Sequence, residues 1–390
     1  LTVSTRSLQL AGTAALGADG WPERFDLSGT LQDPDGSEVL LPLSGPETRV
    51  GAARLKLAYD RQTGDRWTAD LRIDSVTRPE AVIHDLQLAG GGRIEGATDT
   101  TKARFTAGMV YVANDIALTD AALARAIGPQ ISGQIILTRA ADGPVVIDKL
   151  TLAGPGIELD ANATLWGPDK RFAVDSILLF TAKDFARFSD LAGLSLGGEG
   201  TVSLVSTLLP FDGTIDAALS GSTNDLRTGI DQLDPVLTGA SKIAMGFGRD
   251  TAGTRITGLT VETAATRLTG DATLTNLGGN ANLDLALADI SIVQPELRGP
   301  ATLNLSGSKT ETEGITAIAT LGLAEDRITL NATQPAGDMT KLPITLDLTA
   351  GLRDLSRYSA IAGRRLAGQI DTTLSGTTTP DSGKVDFTVQ

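Results

Sequence analysis

The sequence predicts an all-β chain with a few short helices. The expected architecture is an elongated, curved antiparallel sheet, a taco-like rod with an apolar groove, built from loose repeats. Three observations lead there. Apolar residues alternate with polar ones over run after run, the period of a strand with one buried and one wet face. Turn signals recur every eight to twelve residues, which favours meanders over crossovers. A helix–glycine–strand stretch also returns along the chain, and repetition on that scale means a repeat architecture.

The chain has 390 residues, with 44 glycines against 9 Phe, 3 Tyr and 3 Trp. Hydrophobic residues make up 41%, enough for a folded chain. The net charge of −14 argues against nucleic acid, which asks for basic patches, and against adsorption on an anionic membrane surface. Cysteine is absent, so there is neither a disulfide framework nor a thiolate metal site. No run of 18 apolar residues occurs, and no signal peptide is visible. The chain opens on Leu1 within an alternating pattern and reads as a fragment of a longer protein.

In chain order, residues 1–60 read as strands broken at Trp21-Pro22, Asp33-Pro34-Asp35-Gly36 and Gly45-Pro46. Trp67, Ala69, Leu71 and Ile73 share the next apolar face, and Leu86 and Leu88 lead to an expected turn at Gly90-Gly91-Gly92. Thr119 to Ile127 reads as a capped helix stopped by Gly128-Pro129. Ile157 to Leu165 alternates cleanly.

Asp184 to Ser206 then sets the repeat. Asp184 caps a helix of about nine residues, Phe185, Phe188 and Leu191 share a side, and Gly193 ends it. Beyond Gly200 the period becomes two, with Val202 and Leu204 on one face. The stretch returns at Asp354 to Gly376: Asp184, Arg187, Ser189, Gly193, Leu196 and Gly198 match Asp354, Arg357, Ser359, Gly363, Leu366 and Gly368. Asp231 to Leu237 reads as another short helix, interrupted by Pro235, and Asp289 to Pro295 as the weakest. One continuous repeat domain over 1–390 is expected, with helix-led units starting near 118, 184, 230, 289 and 354.

The catalytic motifs fail on context. Gly193-Leu194-Ser195-Leu196-Gly197 matches a nucleophile elbow, but that needs strand before serine and helix after, and here the order is reversed. No histidine follows His84, the only one, which is expected on the wet face of a strand. Asp33 to Gly36 lacks the remaining ligands of a calcium loop. No enzyme, metal or cofactor is expected.

The alternating apolar residues are the remaining signal. By parity one face collects Leu204, Ile215, Leu219, Leu274, Leu283, Leu285, Leu287, Leu303, Leu305, Leu330, Ile344 and Leu346. An ordinary dry β core is one reading of this set. A groove for acyl chains is the other, favoured by scarce aromatics and by too few helices to cover so much sheet.

The run from Asp184 through Gly221, then Ile230-Asp231-Gln232-Leu233 to Leu237-Thr238-Gly239, resembles the translocation and assembly module TamB family of the wider AsmA-like group. Asp354 to Gly376 and the Gly258-Leu259-Thr260-Val261 and Leu268-Thr269-Gly270 steps extend the likeness over nearly the whole chain, in style more than in a fixed motif. The resemblance implies a middle portion of a periplasm-spanning protein of a Gram-negative, proteobacterial cell, with its inner-membrane anchor outside this stretch. It implies phospholipid acyl chains as cargo between inner and outer membranes, and a TamA-like outer-membrane barrel as partner in outer-membrane protein and autotransporter assembly. No catalytic residues come with it. A structural or adhesive β-solenoid with a sealed core is the competing expectation.

Overall fold

Segments with one apolar and one polar face satisfy their backbone N–H and C=O groups by pairing edge to edge, and the alternating runs do so here. The computed structural model describes residues 2–18, 20–96, 103–231, 233–338, 341–378 and 385–389, the last by backbone alone. Gln232 of the quoted resemblance lies outside them. The chain is nearly all-β and antiparallel. It divides into two compact units, Leu1–Phe211 and Asp212–Gln390.

In the first unit the main strands follow the chain, each bonded to the next: Leu8–Leu16, Pro22–Gln32, Ala52–Asp60, Arg66–Ile73, Ala81–Glu95, Arg104–Leu118, Gln130–Arg139, Val145–Gly154, Ile157–Leu165, Val174–Ala182 and Gly197–Leu209. In the second unit the meander runs from Thr214–Arg227 through Ala240–Arg249, Gly253–Glu262, Thr266–Thr275, Gly278–Leu287, Ala301–Thr310, Gly314–Leu323, Asp326–Gln334 and Ile344–Leu352 to Ile370–Thr378 and Val385–Val389. Short connections between consecutive strands are what the dense turn signals predict.

One expected turn is absent. Gly90, Gly91 and Gly92 lie inside the strand Ala81–Glu95, paired on both sides. They are needed for closeness and not for turning. A Cβ at Gly92 would overlap the Thr106 carbonyl and meet the Trp67 indole nitrogen at 3.0 Å.

The short helices sit where the aspartates place them. Asp120 Oδ1 accepts from the Ala122 and Leu123 amides at 2.8 and 3.0 Å, and the helix Ala121–Ile127 ends at Gly128 with φ 86°. Asp184 starts a 3-10 turn, Phe185–Phe188, followed by one α-turn, Ser189–Ala192, instead of the single nine-residue α-helix expected. A segment this short gains little from i→i+4 bonding and tightens to i→i+3. Asp289 and Asp354 cap Ile290–Ile292 and Leu355–Tyr358 in the same way, at 2.8 and 2.9 Å. The segment expected from Asp231 begins later, as Asp234–Leu237. Pro235 sits in its first turn, where a missing N–H costs nothing, so it starts the helix and does not interrupt it.

The matched positions of the two long repeats do the same work. The Leu196 amide donates to Ser189 Oγ at 3.0 Å, and the Leu366 amide to Ser359 Oγ at 3.0 Å. Gly193 and Gly363 end their turns at φ 65° and 63°, and Gly198 and Gly368 follow at 90° and 99°. These left-handed positions explain why glycine recurs there.

Candidate functional site

Residues directly opposite in antiparallel register project to the same face. In the second unit this joins Leu268, Leu285, Leu303, Leu321 and Ile328 into one row across five strands. Beside it, Leu283, Leu305, Ala319, Leu330, Leu348 and Leu374 form a second row. A third is small: Ala272, Ala281, Gly307, Ala317 and Ala332, ending at Leu346. Leu219 lies opposite Met245, and Ile215 opposite Arg249, on the same face. Leu274, Leu287 and Ile344 follow by alternation within their paired strands. Every residue assigned to the apolar face by parity in this unit therefore shares one face. In the first unit Leu204 stands in a row with Leu178, Ala161, Leu150, Ile135 and Met109.

Parity survives because the irregular steps fall elsewhere. Register shifts occur between Ile136 and Leu137, Ile147 and Leu150, Ala244 and Gly246, and Ile256 and Leu259. These are two bulges, one in Val145–Gly154 and one in Gly253–Glu262, and each resets alternation in its own strand, so Ile256 and Leu259, three positions apart, face Ala272 and Gly270 across the ladder.

In the second unit the opposite face is largely polar. Thr269, Asp284, Asn304, Thr320, Thr329 and Thr349 make one of its rows. Asn304 and Asp284 are hydrogen-bonded there, as are Thr320 and Thr329.

The apolar face is covered unevenly. At the end nearest the helices Leu287, Ala301 and Leu323 are buried, with Val236, Ile290, Leu297 and Tyr358 packed against them. In the first unit Phe188 meets Phe180 edge-on at 5.7 Å. Farther from the helices the second unit's face has exposed leucines. Leu287 is 6% exposed, whereas Leu305 and Leu330 are each 37% exposed and Leu274 is 64% exposed. Two recesses lie on this open part, of 380 Å³ beside Leu283, Leu305 and Leu330, and of 540 Å³ beside Ile256, Leu274 and Ile315.

One group at the covered end has no signal in the sequence. Asp326 is 4% exposed and accepts from the Tyr358 hydroxyl at 2.8 Å and the Arg353 amide at 2.5 Å, with Arg357 at 3.9 Å. Burial, then the hydrogen bond and charge of Asp326, push the Tyr358 phenol up to about 12. These partners are separated by about thirty positions, so only the fold joins them.

His84 is exposed on the strand Ala81–Glu95, and the helical turn Ser189–Ala192 precedes Ser195 with the strand Gly197–Leu209 after it. Among the described residues no group of three or more metal-ligating side chains comes together, and no helix is long and apolar enough to cross a membrane. No family model matches the chain, and no curated protein matches it.

Proposed function

We propose that the chain is a middle stretch of a TamB-like, periplasm-spanning bridge whose apolar sheet face carries phospholipid acyl chains between inner and outer membranes. In that role it would be tethered by an inner-membrane anchor beyond this stretch. It would act beside a TamA-like barrel in assembly of outer-membrane proteins and autotransporters. The observation that carries the reading is an apolar face continuous in register across each unit, which in the second unit is buried where the helical turns pack on it and leaves Leu274, Leu305 and Leu330 exposed farther along. Leu305 and Leu330, each more than a third exposed in a row that carries no charge, suit a flexible hydrocarbon better than a sealed core. In the second unit the largely polar opposite face can meet water without a second layer.

The test is extraction of the purified chain followed by lipid mass spectrometry, together with photo-crosslinking from position 305. Copurified phospholipid that crosslinks at 305 supports the bridge. A clean blank over several preparations favours the sealed solenoid.

A further inference from the structure

Few charged residues stand in register on the apolar face, and their placement is ordered. Among the described residues paired on that face, Asp326 lies buried at the helix end, tied to Tyr358. The other charged ones are Arg139, Arg249 and Lys309. All three are cations in a chain of net charge −14, and all three are exposed.

Each lies at the same place in its repeat. The helix Ala121–Ile127 leads into Gln130–Arg139, Asp234–Leu237 into Ala240–Arg249, and Ile290–Ile292 into Ala301–Thr310. The helix covers the start of the apolar face, and the cation stands at or next to the far end of the strand. Register fixes the side: Arg139 is opposite Phe105 and Val145, Arg249 opposite Ile215, and Lys309 opposite Gly279 and Ile315.

None of the three has an ion-pair or side-chain hydrogen-bond partner among the described residues. The contrast with the other face is sharp at one place. Asp250, next to Arg249 in sequence, is held by Arg255, which also takes Asp216 at 2.7 Å. Glu311 and Glu313 lie in the turn beyond Lys309 without pairing to it. Lys309 also lines the 540 Å³ recess with Leu274 and Ile315. Within the second unit Arg249 and Lys309 are four strands apart, about 19 Å at the usual strand spacing.

Resting on the reading above, we propose that in each unit the rim of the apolar face away from the helices holds lipid head groups. Arg249 and Lys309 in one unit, and Arg139 in the other, would each face the head group of a lipid of net negative charge whose acyl chains lie on the leucine rows of the same unit. Charge complementarity and position argue for this occupant. An unpaired cation beside exposed hydrocarbon matches an amphiphile with one anionic end, and fits neither a neutral lipid nor a bare hydrocarbon better than uncharged residues would. Leaving the cations unpaired in an acidic chain keeps them free for that partner.

The experiment incubates the whole chain with vesicles of dioleoyl phosphatidylglycerol or dioleoyl phosphatidylcholine, then repurifies it and measures bound lipid by mass spectrometry. The two lipids share acyl chains and differ in net head charge. The expected result is a preference of about fivefold for phosphatidylglycerol, the size of one basic residue beside anionic lipid. Arg139→Gln, Arg249→Gln and Lys309→Gln combined should abolish the preference while phosphatidylcholine loading persists. Arg139→Lys with Arg249→Lys should keep it. Equal loading of both lipids by the parent, or a preference that survives the glutamine variant, overturns the head-group site and leaves the acyl groove standing. Erasure by inorganic phosphate but not by chloride of equal ionic strength would mean an isolated anion site and also overturns it. Loading of neither lipid overturns the groove and this inference together.

Discussion

Asp326, Tyr358 and Ser359 show how much a single side chain decides at the helix-bearing end. Neutral tyrosine is favoured in the fold because its phenol is raised from an ordinary value near 10 to about 12. A raised pKa means that this contribution to stability is whole below about pH 10 and is lost as pH rises through about 12. Difference absorbance between the parent and Tyr358→Phe should place this phenolate well above the ordinary value near 10, and the parent's melting temperature should fall faster than the variant's over that window. A Tyr358 phenolate already formed near pH 10 would contradict the contact with Asp326. The paired serines give a second prediction. Ser189→Ala and Ser359→Ala should each cost about 1 kcal/mol, the loss of one amide acceptor, and by similar amounts because the bonds are alike. Denaturant unfolding of both variants checks this, and a loss at one site only would show that the repeat is not equivalent in energy.

At the scale of the element, the strands Gly278–Leu287 and Ala301–Thr310 separate covered from open surface within one face. Leu287→Arg would place a guanidinium against Ala301 and Leu323 without a partner, at a cost of about 3–5 kcal/mol. Leu305→Arg stands on open surface, where the long side chain reaches water, and the fold should survive. Melting curves of the two variants should therefore differ widely, although alternation makes the positions equivalent. Crosslinking to phospholipid should be lost at Leu305→Arg, because a charge interrupts the leucine row. Retained fold with unchanged crosslinking would remove Leu305 from the lipid path, and equal collapse of both variants would mean the face is closed throughout.

Within each unit the main strands form a succession of local pairings, each bonded to the next main strand along the chain. Such chains lose structure by region instead of all at once. Hydrogen exchange on Leu287→Arg should show lost protection around 266–334 while the strands of 1–211 keep theirs. Uniform loss over both units would show one cooperative block. The −14 charge helps keep a chain with this much exposed leucine in solution, and the polar rows of the opposite face supply much of the protection.

Strand, turn and face were legible in the sequence because each depends on neighbours two to four positions away. Alternation placed Leu283, Leu285 and Leu287 together, and the aspartates and glycines marked the helices to within a few residues. Three things were not legible. The glycines at 90–92 read as a turn because their need for closeness comes from Trp67 and Thr106, which other strands bring up. Asp326 had no signal because its partners lie about thirty residues away. The division of one apolar face into a covered end and an open rim with unpaired cations depends on where the helices fold back. Sequence periodicity sets which side of a strand a residue takes; only tertiary packing sets what, if anything, stands on top of it.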